Sequence, residues 1–435
     1  MAWREKKLLA RVQAATVQAR THAAAGRGLQ AEFALTDVMD ACRELARLKP
    51  VYINDLAVAS RDLAHLRESM ELWKKAERAA RESLAALRVL AETNPKVLPD
   101  VVGMLMDLSR YLARQGCNAE AAPHDEEAVA IVRQLAAADS EYLPHLADSL
   151  SNLEVRLCDL GRFDEALAPG EEALQIRRQL VREDTQFLPD LAISLNNMGN
   201  LLREMGRFED ALAPSQEAVD IRRPLAATDP GEYLDLLSGS LSNLGNVLAE
   251  LKRPREALAF TEEAVALDRR LVATRRAGYL AQLARSLSNL GLRCWEAGLT
   301  QQAEAPLTES VRLRRELVAA NALAHEGDLS ASLSNLCLAL RDLGKLQQAY
   351  AAAVEAVAIR TRLSATTPAA FLHHRVDSLI NLASILTRMG RRDEALATAR
   401  EAERILQQLV AVDAVAHGPG LAMAQRVIAE AEGTS

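Results

Sequence analysis

The pentapeptide SLSNL at residues 149–153 returns along the chain, as SLNNM at 194, SLSNL at 240, 286 and 332, and SLINL at 378. Its asparagine falls at Asn152, Asn197, Asn243, Asn289, Asn335 and Asn381, in steps of 45, 46, 46, 46 and 46 residues. Stepping back by 45 lands on Asp107 in MLMDL and on Asp62 in ASRDL. A fixed period of this length signals a repeat architecture, in which each unit buries its apolar face against its neighbours.

The repeat beginning near residue 145 shows what the unit is made of. Leu150, Leu153, Leu157 and Leu160 share one helical face. Gly161 is a helix stop. A second helix is predicted from about Asp164 to Arg182, with Ala166, Ala173, Ile176 and Leu180 turned inward. Small side chains at Ala166 and Ala173 let the two helices approach. Pro189 suits a helix start. Pro123, Pro169, Pro214 and Pro306 recur a few residues into the second helix, where proline removes a backbone hydrogen bond. Either that helix begins later, or it kinks there. Linker positions Tyr52, Tyr142, Phe187, Tyr233, Tyr279 and Phe371 read as packing plugs between repeats. In the second helices a glutamate such as Glu127 or Glu172 is followed six residues later by an arginine. Six residues is not a within-helix contact, so these charges are expected to pair between neighbouring repeats.

Composition agrees with a helical repeat. Of 435 residues 49% are hydrophobic and only 3% aromatic, with Ala, Leu, Glu and Arg prominent. The net charge of −7 is the wrong sign for phosphate contacts, so no nucleic-acid partner is expected. No apolar run reaches the ~20 residues of a membrane span, so no membrane partner is expected either. The five cysteines form no C-x-x-C pair and read as reduced thiols, and the N-terminus lacks a secretory apolar core. The expected location is cytoplasmic. There is no phosphate-binding G-x-x-x-x-G-K-[ST] and no H-E-x-x-H, and the histidines lack metal-ligand spacing. No cofactor, metal or catalytic residue is expected.

The pattern N-L-G-x-x-L-x-x-x-G-x-x-x-x-A-L-x-x-x-x-E-A, clearest at residues 243–264 despite Lys252 at the glycine site, resembles the tetratricopeptide repeat. The 46-residue period is longer than that family's usual 34 and is similar to the long repeats of kinesin light chains and of bacterial NTPase-linked regulators. The resemblance implies an all-α, right-handed superhelical solenoid of antiparallel helix pairs. Residues 1–53 form a degenerate first repeat, 54–417 the tandem repeats, and 418–435 a capping helix (from about Leu421 to Glu432) and tail. It also implies that the first helix of each repeat lines a concave groove.

On that helix the asparagine stripe lies apart from the leucine face. Asn197, Asn200 and Glu204 share one side in one repeat, and Asn243, Asn246 and Glu250 in the next. Asn152, Asn197, Asn243, Asn289, Asn335 and Asn381, widened by Asn200 and Asn246, are thus candidates to hold peptide backbone, as in the asparagine ladder of O-GlcNAc transferase. An amide both donates and accepts, which suits a peptide bond. The competing expectation is that each asparagine bonds its own or the adjoining helix, with Ser149, Ser194, Ser240, Ser286, Ser332 and Ser378 as partners. An extended peptide rises about 3.3 Å per residue and packed helices lie roughly 8–10 Å apart. One asparagine would therefore meet about every third peptide residue. Six bonds at roughly 1 kcal/mol each barely offset an association cost of roughly 4–15 kcal/mol, so side-chain pockets must add affinity. Asp159, Glu204, Glu250, Glu296 and Asp342 form an acidic edge that favours basic or neutral ligands. The expected function is non-enzymatic protein or peptide binding, as a scaffold or sensor. The alternative is a regulatory module for a separate catalytic partner such as an NTPase or protease. The sequence leaves the oligomeric state open.

Overall fold

A computed structural model of the chain describes residues 2–274, 276–411 and 414–433. Met1 and the last two residues of the expected tail fall outside the described residues. The chain divides into two compact units, Met1–Arg207 and Phe208–Ser435. In the first unit the helices are α1 (Ala2–Ala24), α2 (Gly28–Leu48), α3 (Ile53–Ser69), α4 (Trp73–Ala91), α5 (Leu98–Arg114), α6 (Asn118–Ala138), α7 (Leu143–Asp159), α8 (Phe163–Glu183) and α9 (Leu188–Glu204). In the second they are α10 (Phe208–Thr228), α11 (Pro230–Glu250), α12 (Pro254–Thr274), α13 (Arg276–Glu296), α14 (Thr300–Ala320), α15 (Ala322–Asp342), α16 (Leu346–Thr366), α17 (Pro368–Arg388), α18 (Arg392–Val410) and α19 (Ala414–Glu432). Within each unit every helix packs on the next in sequence, and α19 closes on α17 and α18. No strand occurs among the described residues. The fold is the all-α helical-repeat stack that the sequence led us to expect.

Short 3₁₀ turns lead into α3, α5, α7 and α9, and an Asp or Asn caps three of them: Asn94, Asp139 and Asp184 each accept from the backbone N–H two residues on. In the second unit Asp229 and Asn321 cap the longer helices α11 and α15 directly. The second helices begin where the sequence placed them and run through Pro123, Pro169, Pro214 and Pro306. These prolines sit in the second turn, so each forfeits one bond while the rest of the helix is held by packing. The last helix is longer than expected. It starts at Ala414 and includes the Gly-Pro-Gly segment that reads as a breaker. Its Gly420 lies against Leu406, where an added Cβ would come within 3.1 Å of a Leu406 methyl.

The linker residues Val97, Tyr142 and Phe187 pack on the core of the first unit, and Tyr233 and Tyr279 on that of the second. The charge pairing between repeats is also present. Arg88 meets Glu127, Arg133 meets Glu172, Arg223 meets Glu263, Arg269 meets Glu309 and Arg315 meets Glu355, all at 2.5–2.6 Å. These pairs are about half exposed, so each adds at most about 1 kcal/mol.

A second, inward series was not foreseen. One position before that exposed column stand Arg177, Arg222, Arg314 and Arg360, each almost wholly buried. Arg177 bonds Asp148, and Arg314 bonds Asp328. Arg222 donates to the Leu236 carbonyl and to Ser240 Oγ; Arg360 donates to the His374 carbonyl and to Ser378 Oγ. Here, then, the recurrent serine receives an arginine from the preceding second helix. Burial depresses the Arg222 guanidinium to about 10, still charged at neutral pH.

Eight glycines between helices or at the C-terminal end, among them Gly161, Gly206 and Gly390, adopt left-handed backbone, as do two non-glycine residues, Glu71 (φ 56°) and Lys252 (φ 60°). An L-residue pays roughly 1–2 kcal/mol in that region. Replacing Lys252 by Gly is therefore expected to raise stability by about 1 kcal/mol, and Gly390→Val to lower it by at least as much. Gly390 has open space around it, so the loss would be conformational. Urea melts of both variants check the pair.

Candidate functional site

In four of the hairpins the two helices cross at a position where two residues share a small space. In α11 and α12 that pair is Gly245 and Thr261, and in α13 and α14 it is Gly291 and Leu307. An added Cβ would lie 2.8 Å from Thr261 Oγ1 in the first case and 2.3 Å from Leu307 Cγ in the second. The same register holds Ser109 and Asp125 in α5 and α6, joined by a 2.5 Å hydrogen bond. In α7 and α8 the sizes are exchanged. Glu154 stands on the first helix and Gly170 on the second, and a Cβ on Gly170 would meet Glu154 Cδ at 2.8 Å and Met198 Cε at 3.0 Å. Gly170 is what gives the glutamate room.

Glu154 is only 2% exposed, and its Oε1 has no hydrogen-bond partner. Desolvation pushes its carboxyl up to about 8, with no neighbouring cation to oppose it. By contrast Asp125, one hairpin earlier, is bonded by Ser109 and by Arg156 Nε at 3.3 Å. Glu154 lines a cavity of about 220 Å³ between α7 and α9, together with Val155, Cys158, Asp159, Asn197, Asn200, Leu201 and Glu204. Burial, with added repulsion from Glu154, Asp159 and Glu204, pushes the Cys158 thiol up to about 12, so it is an inert thiol.

This cavity brings four of the sequence-derived candidates together: Asn197, Asn200, Asp159 and Glu204. Both asparagines are half-buried, and among the described residues neither side-chain amide makes a hydrogen bond to protein. Asn152, Asn289 and Asn381 are half-buried too, but they do not line this cavity. Asn335 is used inside the stack, where its Nδ2 donates to Ser288 Oγ at 3.1 Å. Asn243 and Asn246 are half-buried on α11. A separate cavity of about 480 Å³ in the second unit contains Glu250 and Glu296, with Lys252, Arg293 and Trp295.

The acidic edge is largely tied to arginine. Arg156 bonds Asp159 at 2.9 Å, Arg203 bonds Glu204, Arg293 lies 3.2 Å from Glu296, and Arg341 bonds Asp342 at 2.9 Å. Asp342 also accepts from Trp295 Nε1 and Arg388. Burial alone would raise its pKa, but the bonds from Arg341 and Trp295 hold it low. Glu296 is raised, mainly by burial and further by Glu250. Sequence reading did not single out Glu154 or Arg156. The signal for Glu154 was a glutamate in a column otherwise filled by Ser109, Gly199, Gly245, Gly291, Cys337 and Ala383. Among the described residues, no group of three His, Cys, Asp or Glu side chains is placed to hold a metal ion, and no helix is long and apolar enough to cross a membrane.

Four segments, residues 146–185, 191–224, 237–276 and 375–412, match the tetratricopeptide repeat family. These segments of the chain are tetratricopeptide repeats. Its fold is similar to that of a signal-transduction ATPase with numerous domains and a tetratricopeptide-repeat sensor from Pyrococcus horikoshii. That match has 12% identity and a TM-score of 0.54, over 88% of this chain and 54% of that one. The apo form of RapI matches at 14% identity and a TM-score of 0.51, over 71% of this chain and 98% of that one. Aspartyl phosphate phosphatase F from Bacillus subtilis matches at 13% identity and a TM-score of 0.50, over 74% and 75%. No curated protein matches the sequence significantly.

The raised carboxyl of Glu154 links stability to pH. Between the ordinary value of 4.5 and about 8 the unfolded chain has released this proton while the folded chain keeps it. Stability contributed at this site therefore falls as pH rises through that window and is level above it. At about 1.4 kcal/mol per pKa unit the loss amounts to a few kcal/mol. Glu154→Gln is expected to flatten the decline, so that the variant gains on the natural protein from about pH 5 to about pH 8.5. Denaturant titrations across that range measure the difference.

Proposed function

We propose that the chain is a non-enzymatic binder of extended peptide segments, held on the first-helix face of the repeats in the manner of a scaffold or sensor. The observation that carries this reading is the cavity between α7 and α9. It presents two unpartnered asparagine amides beside half-exposed carboxylates on successive first helices. Amides of this kind suit peptide N–H and C=O groups irrespective of side chain. The remaining asparagines, Asn152, Asn243, Asn246, Asn289 and Asn381, extend the same use to other repeats. Asn335 serves mainly to brace α15 to α13. Basic or neutral peptides fit better than acidic ones, because the half-exposed carboxylates of Asp159 and Glu204 flank the amides.

A second reading is regulation of a separate catalytic partner. It draws on the fold match to an ATPase whose sensor is a tetratricopeptide repeat. In both readings the repeats supply the binding surface and the chemistry belongs elsewhere.

The test begins with peptides selected from a random library on the immobilised full chain. Asn197→Ala combined with Asn200→Ala is expected to weaken the selected peptides at least fivefold by fluorescence anisotropy, with the melting temperature nearly unchanged. Undiminished binding to the double variant would contradict this use of the first-helix face.

A further inference from the structure

We propose that the cavity between α7 and α9 is a pocket for an arginine side chain, and that Glu154 gives up its proton when the guanidinium enters. The proposal rests on the peptide-binding reading and names the side chain that this repeat selects.

The pocket has an excess of acceptors. Glu154 Oε1 is buried and unpartnered on the inner wall. Asp159 and Glu204 stand at the exposed rim, each tied to one arginine of its own helix. The amide oxygens of Asn197 and Asn200 are also unpartnered. A guanidinium is the complementary group, with five N–H donors in a planar fork and no acceptor. Val155 and Leu201 give the stem an apolar wall. At roughly 30 Å³ per water, the cavity of about 220 Å³ has room for about seven waters or the end of one long side chain.

No cation among the described residues already fills this role. The groups that face Glu154 are Cys158 and Asp159 from its own helix, and Asn197, Asn200 and Glu204 from α9. The second helix of the hairpin, α8, presents Gly170, which has no side chain. Arg156, bonded to Asp125 and Asn118 on α6 and to Asp159 at the rim, and Arg203, bonded to Glu204 at the rim, do not line the cavity, and neither bonds Glu154. A carboxyl without a charge partner stays protonated at neutral pH, and the arriving guanidinium supplies that partner. Entry therefore converts Glu154 to its carboxylate and sends one proton to solvent. Neither the other hairpin crossings nor the Asp125 site offers this arrangement. Asp125 is already bonded by Ser109 and Arg156, and glycine or another small residue occupies the column elsewhere.

The test uses the full chain labelled with ¹³C at methionine methyls. Met198 Cε lies next to the Glu154 carboxyl across Gly170, so its signal, assigned with Met198→Leu, reports the protonation of Glu154. The expected midpoint is near 8 and is absent in Glu154→Gln. Saturating Nα-acetyl-arginine amide should lower the midpoint by one unit or more, while the neutral isostere Nα-acetyl-citrulline amide at equal ionic strength leaves it in place. The affinity for the arginine probe should rise up to about tenfold per pH unit from about pH 6 to about pH 8 and level off above. An unchanged midpoint with arginine, an equal shift with citrulline, or a midpoint that survives Glu154→Gln would each overturn the proposal. These readings are taken on the natural protein with free probes, so failure here leaves the library-selected peptides as an independent test of groove binding.

Discussion

The hairpins depend on how closely two helices can cross. At the crossings of α7 with α8, α11 with α12 and α13 with α14 the space admits one side chain larger than alanine, contributed by either helix, with glycine opposite. Gly245 faces Thr261, Gly291 faces Leu307, and Gly170 faces Glu154. Interiors at native density leave no slack for a second large group at such a point. The alanines that recur elsewhere on the second helices, Ala166, Ala173, Ala257, Ala264 and Ala303, are all fully buried for the same reason. With the crossings fixed, the leucine faces of the first helices fall into the core, and the asparagine stripe is left half-buried beside it.

Stacking one hairpin on the next uses a different device. Arg222 and Arg360 reach from a second helix to a carbonyl and a serine on the following first helix, Arg314 reaches Asp328 there, and Arg177 lies 3.5 Å from Asp190 on the following first helix while bonding Asp148 within its own hairpin. A buried charge is tolerated only when it is hydrogen-bonded, so these contacts favour one register of stacking. The outer Arg–Glu pairs lie in high dielectric and contribute little energy. The first-helix face is thus a by-product of two internal constraints. Where the crossing exchanges a glycine for Glu154, that face gains a buried acid and a cavity. The fold is periodic, but this cavity is local to one repeat.

Much of this was legible in the sequence. The 46-residue period, the leucine offsets and the stop glycines were enough to place the helix pairs, because those signals repeat and local sequence suffices to read them. The linker aromatics and the Arg–Glu pairs followed from the period alone. The inward arginines did not. Arg177 and Arg178 are chemically identical neighbours, and only the rotation of about 100° between consecutive helical residues decides which is buried. The last helix runs through Pro419 in its second turn, at the loss of one backbone bond, as the second helices run through theirs. The asparagine row was visible as a stripe, yet the sequence could not separate Asn197, whose amide has no protein partner, from Asn335, whose amide is bonded to Ser288. Glu154 stood out only as an acid in a column of small residues, and its meaning depended on Gly170 in the facing helix.

A double-mutant cycle at Gly291 and Leu307 measures most directly whether each crossing holds a fixed volume shared by two positions. Gly291→Ala places a Cβ against Leu307 and is expected to cost about 1–3 kcal/mol in the natural background. In the Leu307→Ala background that space is vacant, and the cost should shrink by about 1 kcal/mol or more. An equal cost in both backgrounds, within about 0.5 kcal/mol, would show that the two positions do not share one space and would contradict this account of the fold.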